Sequence, residues 1–355
     1  MSAPLEPPFE SRDPSGMAAL VEGAPTQIED AIERIASTAW PGGLGAPELV
    51  AVGAMGGSAI AADLTAALFA DRLPRPLLVV RDYQWPACVG RAALAVLASY
   101  SGNTEETLAL YQQARARGAP CVVLTTGGTL GAWSERDGVP ALRLPTGMPP
   151  RAALYSAWVA LTALLGRLAW IDDPLPAWRE AAAELRRLAD GWGTRRPEEA
   201  NPAKQLARSL AGRFVFIYAA DRLAPLATRW RNQLNENAKL LAHSAVVPEL
   251  NHNEIVGWER PGAPGREATA VLLRDGVERR EVERRLALTA EYLGRCGVRV
   301  VEAPVPSGDR LARACGLAWL GDYVSFYLAM LNGVDPTPIA SLDEFKRRLS
   351  ESRMR

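Results

Sequence analysis

The sequence predicts an α/β protein made of two doubly wound parallel-sheet domains in tandem. Two observations point to it. The chain has 355 residues, 48% of them apolar, enough to fill two cores. Short apolar runs that end in Gly, Ser or Asp alternate with longer stretches of helical spacing, as expected of parallel strands joined by helices on both faces.

The elements follow in chain order. Residues 1–24 open with acids and prolines, lack a basic segment followed by an apolar run, and read as a loose tail rather than a secretory signal. The first domain is expected over 25–175, with strands at 49–52, 77–80, 93–98, 121–124 and 141–144 and helices at 59–73, 104–117 and 152–169. The uncharged apolar stretch 152–166, bracketed by Arg151 and Arg167, is too short to span a bilayer and reads as a buried helix. Residues 176–202, rich in Arg, Glu and Ala, read as a connecting helix and linker. A second domain is expected over 203–340, with strands at 213–218, 268–273 and 299–303 and helices at 225–242, 279–296 and 310–331. An amphipathic helix closes the chain within 341–355.

Charge and cysteine content narrow the function classes. Forty basic residues balance forty acidic ones, so no bulk field favours nucleic acid or an anionic membrane, and neither is expected as a partner. Cys88, Cys121, Cys296 and Cys315 show no C-x-x-C spacing and read as buried thiols in a reducing compartment, which implies the cytoplasm. Only Lys204, Lys239 and Lys346 are lysines and only His243 and His252 histidines, which makes each slightly more interesting as a chemical group.

The sharpest segment is Ser-Tyr-Ser-Gly-Asn-Thr-Glu-Glu-Thr-Leu, 99–108, which leads from a strand into a helix, where open α/β sheets bind ligands. Ser99, Ser101 and Thr104 offer three hydroxyls, and the free N–H groups of the helix start suit a phosphate. An alternative needs no ligand: Asn103 as N-cap with Glu106 as its capping-box partner. Gly-Ala-Met-Gly-Gly-Ser, 53–58, is a second such turn, in which Gly57 admits a close approach and Ser58 adds a hydroxyl. It lacks the dinucleotide spacing and the P-loop lysine. Arg151 follows two prolines at a helix start, fixed where a guanidinium can lean over a cleft or simply sit on the surface. The helix 225–242 is expected to bury Leu226, Trp230, Leu234 and Leu241. Glu236 lies off that stripe, either as a solvated partner of Lys239 or as a base lining a cleft. His252, in Asn-His-Asn-Glu, is a proton carrier or an idle loop residue. The two histidines lack ligand spacing for a metal.

Together these segments resemble the bifunctional phosphoglucose/phosphomannose isomerase family, a short branch of the sugar isomerase (SIS) domain enzymes. The resemblance rests on GAMGGSAIAADL, SYSGNTEETL, PPRAAL, NENAK, ELNHNEIVGW and LNGVDPTPI, in register from about residue 50 to the end. It implies two SIS, flavodoxin-like domains and interconversion of glucose 6-phosphate and fructose 6-phosphate through a cis-enediolate, with mannose 6-phosphate also accepted. Gly57, Ser58, Ser99, Ser101 and Thr104 would bind the sugar phosphate. Arg151 would lie over the reacting carbons, and Glu236 would carry the proton between C1 and C2. His252, entering from the partner of a homodimer, and Lys346 would assist ring opening. No metal or other cofactor is implied. Where many relatives have two glycines after the first turn, this chain has Ala61 and Ala62. The rivals are isomerisation of another sugar phosphate and a non-catalytic sugar-phosphate sensor, which needs the serine cradle but not Glu236 or His252.

Overall fold

A computed structural model of the chain describes residues 5–38, 40, 44–260 and 265–352. Residues 1–4 of the expected tail and 353–355 of the expected closing segment lie outside the described residues. In chain order come α1 (Met17–Glu22), α2 (Ala24–Ser37), β1 (Leu49–Ala54), α3 (Gly56–Leu68), β2 (Leu77–Val80), β3 (Ala93–Ala98), α4 (Glu105–Ala116), β4 (Cys121–Thr125), α5 (Gly128–Arg136), β5 (Ala141–Arg143) and α6 (Leu154–Arg167). There follow α7 (Leu175–Trp192), α8 (Pro202–Leu210), β6 (Phe214–Ala220), α9 (Ala224–Asn237), β7 (Ala242–Val247), β8 (Ala268–Leu273), α10 (Arg280–Arg295), β9 (Arg299–Glu302), α11 (Arg310–Asn332) and α12 (Ala340–Ser352).

The strands form two wholly parallel sheets, ordered β2-β1-β3-β4-β5 and β7-β6-β8-β9. Helices cover both faces, so β3, β4 and β8 are buried along their length, which is why they read as unbroken apolar runs. In the first sheet the strand order reverses between β1 and β3. Their C-terminal ends open side by side into the turns that start α3 and α4.

The helix α11 is the shared core. Asp309 caps its first turn by accepting from the Ala312 N–H at 2.7 Å, Gly333 ends it at φ 65°, and every residue from Leu311 to Met330 except Arg313 is buried. It has the length and apolar composition to cross a membrane, yet here it is wrapped by α7, α8 and α9.

The structure corrects three expectations. The segment before residue 25 is not loose from Leu5 onward. Leu5, Phe9, Met17 and Val21 are buried, Phe9 meets Phe326 edge to face at 5.3 Å, and the Val21 carbonyl accepts from Trp319 Nε1 at 2.6 Å. Its proline and acid content masked four apolar anchors spaced too widely to show a period. The helix expected to run to 242 stops at Asn237, because Lys239 turns into the left-handed region at φ 53°. Leu226, Trp230 and Leu234 are buried as expected, whereas Leu241 is 86% exposed and the following residues form β7. Of the cysteines, Cys121 and Cys315 are buried, Cys296 is half-buried and Cys88 is exposed.

Candidate active site

Two glycine turns of the first sheet make a floor of helix N-termini. Gly102 sits at φ 69°, and a Cβ there would lie 1.9 Å from the Gly127 carbonyl oxygen, so only glycine lets this turn pack on the next one. Ser99 is buried beneath the turn. Its Oγ accepts from the Gly102 N–H at 3.1 Å and shares a hydrogen bond with Thr104 Oγ1 at 2.8 Å. Ser101 Oγ, at the exposed rim, accepts from the Asn103 N–H at 3.2 Å.

The capping box is not formed. Thr104, not Asn103, is the N-cap of α4, and its hydroxyl is turned to Ser99 rather than to the first-turn N–H groups. Asn103 Oδ1 instead accepts from the Thr129 N–H at 3.0 Å, pinning the neighbouring turn. The start of α3 likewise has no side-chain cap. Both helix starts therefore keep their positive ends uncapped by side chains, an arrangement suited to an anion.

A second cluster lies against this floor. Pro149 introduces a short 3-10 turn, Pro150–Ala152, which carries Arg151. A Cβ on Gly57 would lie 3.1 Å from the Pro150 carbonyl oxygen and 3.5 Å from Arg151 Cα, so the absent side chain lets the start of α3 lie against this turn. Ser58, half-buried, follows in the first turn of α3. Tyr100 OH accepts from the Met148 N–H at 3.2 Å, and Gln27 Nε2 donates to the Ala152 carbonyl at 2.9 Å. Gln27, on α2, also receives the Tyr155 N–H, so a segment outside the recognisable motifs fixes the Arg151 turn.

Arg151 is 5% exposed. Its Nε donates to Asn237 Oδ1 at 2.7 Å, and one terminal nitrogen donates to the Pro336 and Thr337 carbonyls at 2.9 and 2.8 Å. The other terminal nitrogen faces Glu236 Oε2 at 3.6 Å, a charge contact without a hydrogen bond. Burial pulls the guanidinium pKa down, with Glu236 and Asp335 opposing, yet an arginine stays charged through such a shift. Its charge is thus held mainly by neutral acceptors.

Glu236 lies in the last turn of α9 and is partly open to solvent, 37% exposed at its side chain. The expected ion pair with Lys239 is absent: Lys239 Nζ donates to the Glu236 backbone carbonyl and to Pro336 O, leaving the carboxylate to Arg151. Burial lowers the Lys239 pKa and the Arg151 charge adds to the effect, with Asp335 and Glu236 opposing.

The remaining residues stand apart from the Glu236 and Arg151 pair. Lys346, exposed on α12, lines a cavity of about 740 Å³ together with Ser101, Thr104, Leu108, Trp133 and Phe345. Arg151 and Glu236 are not on its wall. His252, exposed at the end of the 3-10 turn Glu249–His252, makes no hydrogen bond or ion pair among the described residues. It follows the C-terminal end of β7, whereas Glu236 sits beside its start, where Asn235 Oδ1 accepts from the Ala242 N–H at 3.1 Å. Six strand residues separate the two ends by roughly 20 Å.

Sequence reasoning missed the frame behind Arg151. Arg229 and Asp322, 3% and 6% exposed, form a buried ion pair with both carboxylate oxygens 2.7 Å from one guanidinium nitrogen. Arg229 also donates to the Arg151 carbonyl at 3.3 Å. Burial raises the Asp322 pKa while Arg229 and Gln233 oppose it. An Asp inside an apolar helix, thirteen residues after the Asp309 that caps it, was the available signal.

Comparison with known proteins shows the family and the fold of the chain. A family model for the bacterial phospho-glucose isomerase C-terminal SIS domain matches residues 199–349. A bifunctional phosphoglucose/phosphomannose isomerase of Caldicellulosiruptor bescii is 38% identical over 303 residues, 85% of this chain and 89% of the relative. One of Aquifex aeolicus is 31% identical over 84% of this chain and 89% of the relative. Among solved structures, the C-terminal domain of glucosamine-fructose-6-phosphate aminotransferase from Francisella tularensis superposes with a TM-score of 0.70, at 14% identity, over 91% of this chain and 98% of that one, a likeness of fold.

Proposed function

From the premise that the chain belongs to the bifunctional phosphoglucose/phosphomannose isomerase family, we propose that it interconverts glucose 6-phosphate, fructose 6-phosphate and mannose 6-phosphate through a shared cis-enediolate. The observation that carries this reading is the pairing of Glu236, whose carboxylate makes no ion pair with Lys239, with the buried Arg151 3.6 Å away. A carboxylate that moves a proton and a fixed cation that stabilises the resulting oxyanion are the two parts an aldose to ketose isomerisation requires.

In this scheme the phosphate sits on the uncapped starts of α3 and α4, over Gly57 and Ser58 and against Ser101 and Thr104, with Ser99 bracing the turn from below. Glu236 takes the C2 proton of the open-chain aldose, and Arg151 faces the developing enediolate oxygen. The same carboxyl then returns the proton to C1 while the O2 hydroxyl proton passes to O1, leaving the ketose. Reprotonation at C2 from the opposite face gives the epimeric aldose, so one intermediate serves both sugars. Lys346 and His252 would move the proton that opens the ring. A purified sample given fructose 6-phosphate, with EDTA present, is expected to form glucose 6-phosphate and mannose 6-phosphate, followed by separate coupled assays. Binding of fructose 6-phosphate without either product would favour the sensor instead.

The phosphate reading has its own test. The double change Ser99→Ala, Ser101→Ala should weaken every 6-phosphosugar to a similar degree, by about 1.5–3 kcal/mol for the hydrogen bond to the charged group lost from Ser101, with a further loss from the turn that Ser99 no longer braces. Titration calorimetry across glucose, fructose and mannose 6-phosphates checks this, and unchanged affinity would move the phosphate site elsewhere.

The separation of His252 from Glu236 supports a homodimer in which the imidazole serves the partner's site. Mixing inactive Glu236→Gln and His252→Ala subunits, with exchange allowed, should restore part of the activity, up to about a quarter of the wild-type value for random pairing with one intact site per heterodimer. No rescue, with exchange shown by mass spectrometry, would assign His252 to its own chain or to no catalytic task.

A further inference from the structure

Resting on the isomerase reading of Arg151, we propose that Asn237 and Ser325 are positioning residues that fix the direction in which the Arg151 guanidinium points. The chain of hydrogen bonds is directional. Ser325 Oγ–H donates to the Asp322 backbone carbonyl at 2.8 Å, which commits the hydroxyl proton. The oxygen then accepts from Asn237 Nδ2 at 3.0 Å. With its N–H₂ so engaged, the amide presents Oδ1 to Arg151 Nε, and that contact is 2.7 Å.

A guanidinium has no acceptor, so only this orientation of the amide works; the reverse would set Nδ2–H against Nε–H. Asn237 and Ser325 are both 0% exposed, so no water replaces a missing partner cheaply. The Pro336 and Thr337 carbonyls hold one terminal nitrogen and Asn237 holds Nε. Together they leave the other terminal nitrogen directed at Glu236 Oε2. A planar group held at two of its three nitrogens cannot rotate, so the core helix α11 sets the aim of the cleft's cation through Ser325 and Asn237.

Neither residue touches the reacting carbons in this scheme, so both act through Arg151. Asn237→Leu should lower kcat by about 100-fold and Ser325→Ala by about tenfold, each with KM for fructose 6-phosphate within about twofold of wild type, because a small misaim is felt most in the transition state. Rates are taken per folded molecule, from circular dichroism of the same samples. A purely structural role would reduce the folded fraction and leave the rate per folded molecule unchanged.

A second readout needs no turnover. The Arg151 Nε–H resonance, assigned by its loss in Arg151→Lys, should exchange slowly with water in the wild type, faster in Ser325→Ala and fastest in Asn237→Leu. Should Asn237→Leu not fold, Ser325→Ala carries both tests. Wild-type kinetics per folded molecule and unaltered Nε–H exchange in Ser325→Ala would overturn the proposal. A wild-type protein inactive on fructose 6-phosphate would instead remove the isomerase reading, while the exchange comparison would still decide whether this hydrogen-bond chain holds Arg151.

Discussion

Glu236→Gln is expected to bind fructose 6-phosphate with nearly wild-type affinity and to lose about two to four orders of magnitude in kcat, the usual range for removal of a catalytic acid/base. Glutamine keeps the shape of the side chain and can still accept a hydrogen bond, but it cannot take a proton from carbon. The structure sharpens the expectation, since the carboxylate is not spent on Lys239 and its nearest charge is Arg151 at 3.6 Å. Steady-state kinetics and calorimetry together check it. Near-native turnover in this variant would leave Glu236 as a charge partner of Arg151 and place the base elsewhere in the cleft.

Arg151→Lys should be nearly as damaging, with kcat down by about 100- to 1000-fold and KM changed little, comparable to loss of one preorganised oxyanion donor. The substitution preserves the charge. It does not preserve the geometry, because one ammonium group cannot bond Asn237, Pro336 and Thr337 and still face Glu236. A lysine would settle among the neutral acceptors and leave the enediolate without its fixed counter-charge. Retention of more than a tenth of wild-type kcat by Arg151→Lys would show that charge alone, without direction, is enough.

The parts of the fold that the sequence revealed are those whose pattern is local. Strands buried on both faces, such as Ala93–Ala98 and Ala268–Leu273, are continuous apolar runs and were placed at their true ends. The turns after β1 and β3 were visible because glycine and hydroxyl residues cluster there. Illegible parts depend on contacts distant in sequence. The expected helix was carried to Ala242, the first residue of β7, since nothing near Lys239 announces a left-handed residue, and the strand that follows went unread. The packing of Phe9 is with Phe326 of α11, some three hundred residues away, which no local period records. Within the candidate site, Arg151 and Glu236 could be named from motifs. Their 3.6 Å separation, and the Asn237, Ser325, Asp322 and Arg229 frame that fixes one of them, required the fold.

The most direct test of proton transfer by Glu236 is the fate of the C2 hydrogen of glucose 6-phosphate in ²H₂O, compared between wild type and Glu236→Gln at equal protein concentration and time. A proton carried from C2 to C1 on one carboxyl is partly retained in the product, so deuterium is counted over substrate and product together. If Glu236 is the base, the wild type incorporates deuterium into that pool as it isomerises. Glu236→Gln under the same conditions shows only the background exchange of a protein-free control. Deuterium incorporation by Glu236→Gln at the wild-type level would contradict it.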